Sequence, residues 1–212
     1  MQEAYYKTVK SSGIDELIVK KSRFIAQACP AAAETDAVSW IKQARAAHPE
    51  AGHTCYAYVI GKNEGIMRYS DDGEPGGTAG MPILSVIRAQ KVVDCCVTVT
   101  RYFGGILLGA PGLIRAYAKA ASMALDAAQV VRMERSVQFW VGMDYAMWER
   151  AGFYLGSAPV LNERVEFGAT VTATLVARER DYEEVCEGLA RVTDGKMEVM
   201  ELERVWLGWG EG

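Results

Sequence analysis

The chain has 212 residues, half of them hydrophobic and 24% charged, enough for a sizeable buried core and long enough for two ordinary domains. Its formal charge of −4 and pI near 5.4 exclude a protein that coats nucleic acid by bulk attraction, so contact with RNA or DNA needs a local basic patch. No apolar run reaches the roughly 18 residues of a bilayer span; with no apolar leader in MQEAYYKTVKSSG and an odd five cysteines in apolar segments, a cytoplasmic protein with reduced thiols is expected.

Along the chain, Ile14 to Val19 and Phe24 to Cys29 read as strands joined by the basic link Lys20-Lys21-Ser22-Arg23. A helix follows, capped by Thr35 or Asp36, carrying Val38, Ile41 and Ala44 at helical spacing and ending at His48-Pro49. Cys55 to Ile60 is a strand, with Gly61-Lys62-Asn63 a turn after it. The run DDGEPGGTAG then breaks all periodicity, and Met81 to Ala89 resumes as a helix that tolerates Pro82 in its first turn. The β-branched run Val92 to Thr100 predicts a central strand. RYFGGILLGAPG is a second glycine-rich loop, and Leu113 to Gln129 a helix with Ile114, Tyr117, Ala118, Ala121 and Leu125 on its apolar stripe.

The charged cluster Arg132-Met133-Glu134-Arg135 is read as a linker, dividing the chain into domains 1–134 and 135–212. Beyond it Val137, Phe139 and Val141 alternate as a strand, and Asp144 caps a helix with Tyr145, Trp148, Gly152 and Leu155 inward. Val165 and Phe167 mark one strand, and Val171, Ala173 and Leu175 the next. Asp181 opens a helix on Val185, Leu189 and Val192, and Met197 to Val205 closes the chain as a strand. This is a βαββαβ order, the split arrangement of ferredoxin-like domains, within an α+β protein. Of the tail aromatics, Trp206 and Trp209, one is expected to anchor a core and the other to sit at an edge.

Two segments carry the residue types that chemistry needs. The first, Asp71 to Gly80, places Asp71, Asp72 and Glu74 beside four glycines, with Thr78 before a helix. Free N–H groups at that helix start offer an anion site, and the carboxylates offer oxygen ligands to a cation such as Mg²⁺. The competing reading is a tight turn with aspartate and threonine caps. The second segment holds Gly104, Gly105, Gly109 and Gly112, with Arg101 at the strand end and Arg115 and Lys119 on the polar helix face. Three cations near a helix N-terminus make a phosphate site; the competing reading is a solvated helix face. The segment lacks the P-loop pattern. Tyr102 and Phe103 offer aromatic faces to bases. His53 and Cys55 share a strand face, which leaves a nucleophile pair as an alternative to core residues. No zinc-ligand spacing is present.

The runs GHTCYAY, YSDDGEPGGTAGMPIL and TRYFGGILLGAPGLIRAYAKA resemble the IMPACT/YigZ family, and the βαββαβ tail resembles the second domain of its bacterial members. The resemblance implies an N-terminal α+β domain similar to domain IV of elongation factor G and a tail similar to that factor's last domain. It implies binding to RNA, to the ribosome or to a ribosomal protein partner, and regulation of translation. Eukaryotic members carry a further N-terminal recognition domain that this chain is expected to lack. The positions that match the family's motifs include His53, Asp71, Asp72, Glu74, Thr78, Arg101, Gly104, Gly105, Gly109, Gly112 and Lys119, while Phe103 stands where relatives often have tyrosine.

Three functions follow as expectations. The first is binding of RNA or a ribosomal partner through loops 71–80 and 101–112. The second is a metal-assisted enzyme on a phosphorylated small molecule or peptide, with Asp72 or Glu74 as base or metal ligand and Arg101 on the oxyanion. The third is a protein–protein adaptor with an exposed apolar patch.

Overall fold

A computed structural model of the chain describes residues 5–209. Ten strands and five helices are ordered β1(Tyr5–Val9), β2(Gly13–Val19), β3(Ser22–Pro30), α1(Glu34–Ala47), β4(His53–Ile60), β5(Ile66–Ser70), α2(Gly80–Ala89), β6(Cys95–Tyr102), α3(Gly109–Ala127), β7(Val130–Met143), α4(Tyr145–Leu155), β8(Val160–Phe167), β9(Val171–Arg178), α5(Tyr182–Val192) and β10(Glu198–Trp209). The class is α+β. Residue contacts divide it into two compact units, Tyr6–Arg132 and Met133–Trp209, the latter including Tyr5.

In the first unit β2-β3-β6-β4-β5 form one sheet, antiparallel throughout. Strand alternation decides which side chains go to which face. Phe24, Ala26 and Ala28 of β3, Cys55, Ala57 and Val59 of β4, and Cys95, Val97 and Val99 of β6 all pack in one core with α2 and α3. The residues between them, Cys29, Tyr58, Ile60 and Cys96, form a second core with Ala37 and Ile41 of α1. The central strands are therefore apolar on both faces. Cys95 and Cys96 accordingly point to opposite sides, and all five cysteines are free thiols.

Several sequence expectations shift. Helix α1 starts at Glu34, and Asp36 occupies its third position, where its Oδ2 accepts the Ala33 N–H at 2.9 Å in place of acting as the N-cap. Helix α3 starts at Gly109, four residues before Leu113, because Pro111 and Gly112 are tolerated in a first turn whose N–H groups need no helical partner. Its buried stripe is Leu113, Ala116, Tyr117, Ala120, Ala121, Ala124 and Leu125, while Ile114 is exposed. Strands β1 and β5, which are short and weakly patterned, have no counterpart in the sequence reading.

The second unit has β7-β9-β8 as antiparallel neighbours with β10 also on β7, which gives the β10-β7-β9-β8 order of a ferredoxin-like sheet. The cluster Arg132 to Arg135, expected to be a linker, lies inside β7. Buried Glu134 draws it into the sheet by pairing with Arg178 at 3.5 Å and Arg180 at 3.1 Å. Asp144 does cap α4, accepting from the Met147 amide at 2.8 Å. The inward face of α4 is turned by about one residue from the expected one. Ala151 is buried with Met147, Trp148, Tyr154 and Leu155 around it, and Tyr145 is exposed. Phe167 is exposed as well, beyond a register shift at Asn162/Arg164 in the edge strand β8. Trp209 is the buried anchor of the tail, donating its indole N–H to Ser136 Oγ at 2.9 Å, and Trp206 is half-buried.

Candidate functional site

The loop between β5 and α2 is built from the inside. Asp71 turns its carboxylate onto the start of α2: Oδ1 accepts the amides of Gly80 at 2.8 Å and Ala79 at 3.0 Å, and Oδ2 accepts that of Gly77 at 2.8 Å. The anion site expected at this helix start is thus filled by the protein's own carboxylate. Burial alone would raise the Asp71 carboxyl, but the Gly77, Gly80 and Ala79 amides together hold it below the ordinary carboxylate range.

A carboxyl with a depressed folded value stabilises the fold above the ordinary pKa and loses that contribution as pH falls through the folded value. Asp71→Asn should therefore lower stability by about 1–2 kcal/mol at neutral pH. The gap from the unsubstituted protein in urea denaturation should close below about pH 4. A gap independent of pH would show that the charge of Asp71 plays no part.

Asp72 is equally committed. Its Oδ1 pairs with Arg45 at 2.7 Å, its Oδ2 accepts the Thr54 amide at 2.7 Å, and its carbonyl accepts from His53 Nδ1 at 2.8 Å. This last bond places the His53 proton on Nδ1, since a carbonyl can only accept. Thr78 is buried and donates its hydroxyl to the Pro75 carbonyl at 2.7 Å, a turn contact and not a ligand contact.

Glu74 enters the core. Its Oε1 accepts from Arg101 Nη1 at 2.7 Å and from the Tyr117 hydroxyl at 2.7 Å. Arg101 is buried because it shares the β6 face of Val97 and Val99, which α3 covers, and there the chain brings Glu74 to it. Its guanidinium lies 5.5 Å from the ring centres of both Phe24 and Phe103, and Nη2 reaches Ser22 Oγ at 3.4 Å. The Nε atom has no hydrogen-bond partner among the described residues. The neighbouring Tyr102 faces the other side of the sheet and shares a hydrogen bond with His48 Nδ1 at 3.0 Å.

Cys55 donates its thiol to the Asp71 carbonyl at 3.0 Å and lies 3.5 Å from the Tyr117 hydroxyl. Burial pushes its pKa up to about 12, so it stays a neutral thiol and the nucleophile reading fails. The same burial raises the Tyr117 hydroxyl. Asp71, Asp72 and Glu74 are each engaged by a separate set of partners instead of converging on one point, and the described residues contain no group of three or more His, Cys, Asp or Glu able to hold an ion. The oxyanion role expected of Arg101 has no access, since its side chain is 7% exposed.

What remains open to solvent lies one layer out, at the tip of the β2–β3 hairpin. A groove of about 230 Å³ is lined by Leu17, Val19, Leu108, Gly112 and Ala116 and by the cations Lys20, Arg115 and Lys119. The three cations have no side-chain hydrogen bond or ion pair to the described residues. Lys20, from the basic link, joins Arg115 and Lys119 here, whereas Arg101, expected beside them, lies in the core. Arg115 and Lys119 sit in the second and third turns of α3, so the helix dipole contributes little at them. Gly109 and Gly112 belong to that helix, leaving Gly104 and Gly105 in the loop 103–108. This loop is fixed to the hairpin by the Gly104 amide, which donates to Ser22 Oγ at 3.1 Å.

A family model described as the Impact N-terminal domain matches residues 20–125, a segment that holds the buried network and most of the groove. The IMPACT family member YvyE of Bacillus subtilis is 37% identical over 202 residues, covering 95% of this chain and 93% of its own. The IMPACT family member YigZ of Escherichia coli is 30% identical over 187 residues, covering 87% and 92%. A crystal structure of a hypothetical protein, 28% identical, superposes with a TM-score of 0.59 over 94% of this chain and 98% of that one. Among the described residues no helix is long and apolar enough to cross a membrane.

Proposed function

Because the chain belongs to the IMPACT family, we propose that it is a cytoplasmic, translation-associated regulator that binds RNA through the groove at the β2–β3 hairpin tip. One observation carries this reading. On a protein of net charge −4, Lys20, Arg115 and Lys119 converge on one concavity with no acidic partner among the described residues. Unpaired cations around a hollow attract a polyanion locally even where the molecule as a whole repels it. The carboxylate loop 71–80 supports the groove from within, holding Arg101 and with it Phe24 and Phe103 in place.

The reading makes a quantitative prediction. Each cation that neutralises a phosphate of a single strand adds about −0.7 to the slope of log affinity against log salt, so three give about −2. Raising salt from about 50 to 200 mM should then weaken binding roughly twentyfold. Arg115→Ala or Lys119→Ala should each flatten the slope by about 0.7 and leave thermal stability unchanged, since both side chains are exposed. Fluorescence anisotropy with a labelled RNA decamer reads both quantities. No binding at low salt, or a slope unmoved by both substitutions, sinks the proposal.

A further inference from the structure

Resting on the RNA reading, we infer that the groove takes an unpaired nucleotide of a single strand, with its base on the apolar floor and against Phe103 and its phosphates on the cationic rim. The size of the hollow is the first argument. At about 230 Å³ it falls below the roughly 300–1,000 Å³ of pockets that enclose whole small ligands, and suits one planar group with its remainder outside. Its lining is the second. A site for phosphates alone has no use for Leu17, Val19 and Leu108, whereas an unstacked base needs an apolar surface to replace its neighbours in the stack.

The third argument is the flanking aromatic. Phe103 remains 57% exposed although its ring is backed by the Arg101 guanidinium at 5.5 Å, which is itself fixed by buried Glu74. Phe103 precedes Gly104, whose backbone lies against Lys21 and Ser22 at the hairpin tip, and Lys20 of that tip and Leu108 of the same loop both line the groove. An exposed ring held rigid from behind loses little freedom when a base stacks on it. A duplex satisfies none of this. Its bases are already stacked, and double-stranded recognition spreads contacts over roughly 16 base pairs, far beyond one patch of three cations.

The test uses the full chain and three probes at low salt: a labelled single-stranded RNA decamer, the same strand annealed to its complement, and a labelled polyglutamate peptide. The single strand should bind at least tenfold tighter than the duplex. Phe103→Ala should weaken single-strand binding roughly tenfold, with the salt slope and the duplex affinity unchanged and the protein still unfolding cooperatively in urea. Equal or tighter duplex binding, or a Phe103→Ala protein that binds the single strand as before, overturns the inference while leaving RNA binding intact. Tighter binding of polyglutamate overturns it in favour of an acidic protein partner. Failure of both RNA probes removes the underlying reading and this one together.

Discussion

Glu74→Ala should destabilise the first unit by about 3–5 kcal/mol, the loss expected when one member of a buried ion pair is removed and the other stays behind. The side chains of Arg101 and Glu74 are 7% and 3% exposed, so neither can turn to water without opening the core. Arg101 has little else to hold. Its Nε has no hydrogen-bond partner among the described residues and its contact to Ser22 Oγ is long at 3.4 Å. The substitution also strips the Tyr117 hydroxyl of its acceptor in a position with no solvent. The double replacement Glu74→Leu with Arg101→Met is the informative companion. It removes both charges while filling the space, so most of the stability should return, even though a pairwise count of lost contacts would make it the worse protein. Urea denaturation followed by circular dichroism separates the cases. A loss below about 1 kcal/mol for Glu74→Ala would mean that the pair is effectively solvated.

The same network explains what the sequence reveals and what it conceals. Glycines, carboxylates and a threonine in DDGEPGGTAG announce an ordered, unusual loop, and the structure contains one. Its composition cannot say which way the carboxylates turn, because the same oxygens that would hold a cation also satisfy the amides of Gly77, Ala79 and Gly80. Charge likewise conceals the burial of Arg101. It follows from strand parity with Val97 and Val99, which is legible, and from the arrival of Glu74 from 27 residues earlier, which is not. Lys20 is the converse case. It stands in a basic link that the sequence displays plainly, but only the packing of α3 against β2 brings it to Arg115 and Lys119. Local pattern therefore predicts most elements, from the β-branched core strand to the βαββαβ tail. The make-up of the groove depends on contacts between residues nearly a hundred positions apart.

Gly104→Ala tests whether that long-range arrangement is rigid. A Cβ at this position would lie 2.1 Å from the carbonyl carbon of Lys21, 2.3 Å from its oxygen and 2.4 Å from the Ser22 nitrogen, all backbone atoms. The hairpin tip has little room to retreat, because Lys20 and Lys21 both already hold positive φ, at 45° and 67°, in a two-residue turn. The loop must lift instead, stretching the bond from the Gly104 amide to Ser22 Oγ and shifting Phe103 off the Arg101 guanidinium. A stability loss of about 2–3 kcal/mol is expected, together with weaker binding of single-stranded RNA, since Lys20 and Leu108 frame the groove from the two displaced segments. Gly105→Ala separates shape from backbone strain. Gly105 sits at φ 80° with open space around its missing Cβ, so alanine there incurs only the strain of a left-handed residue, about 1 kcal/mol, and leaves the hairpin contact alone. If Gly104→Ala proves no more damaging than Gly105→Ala in stability and in RNA affinity, the loop is not locked to the hairpin. If it is clearly worse in both, the close approach of loop and hairpin shapes the groove, with glycine at 104 required by space and not by φ.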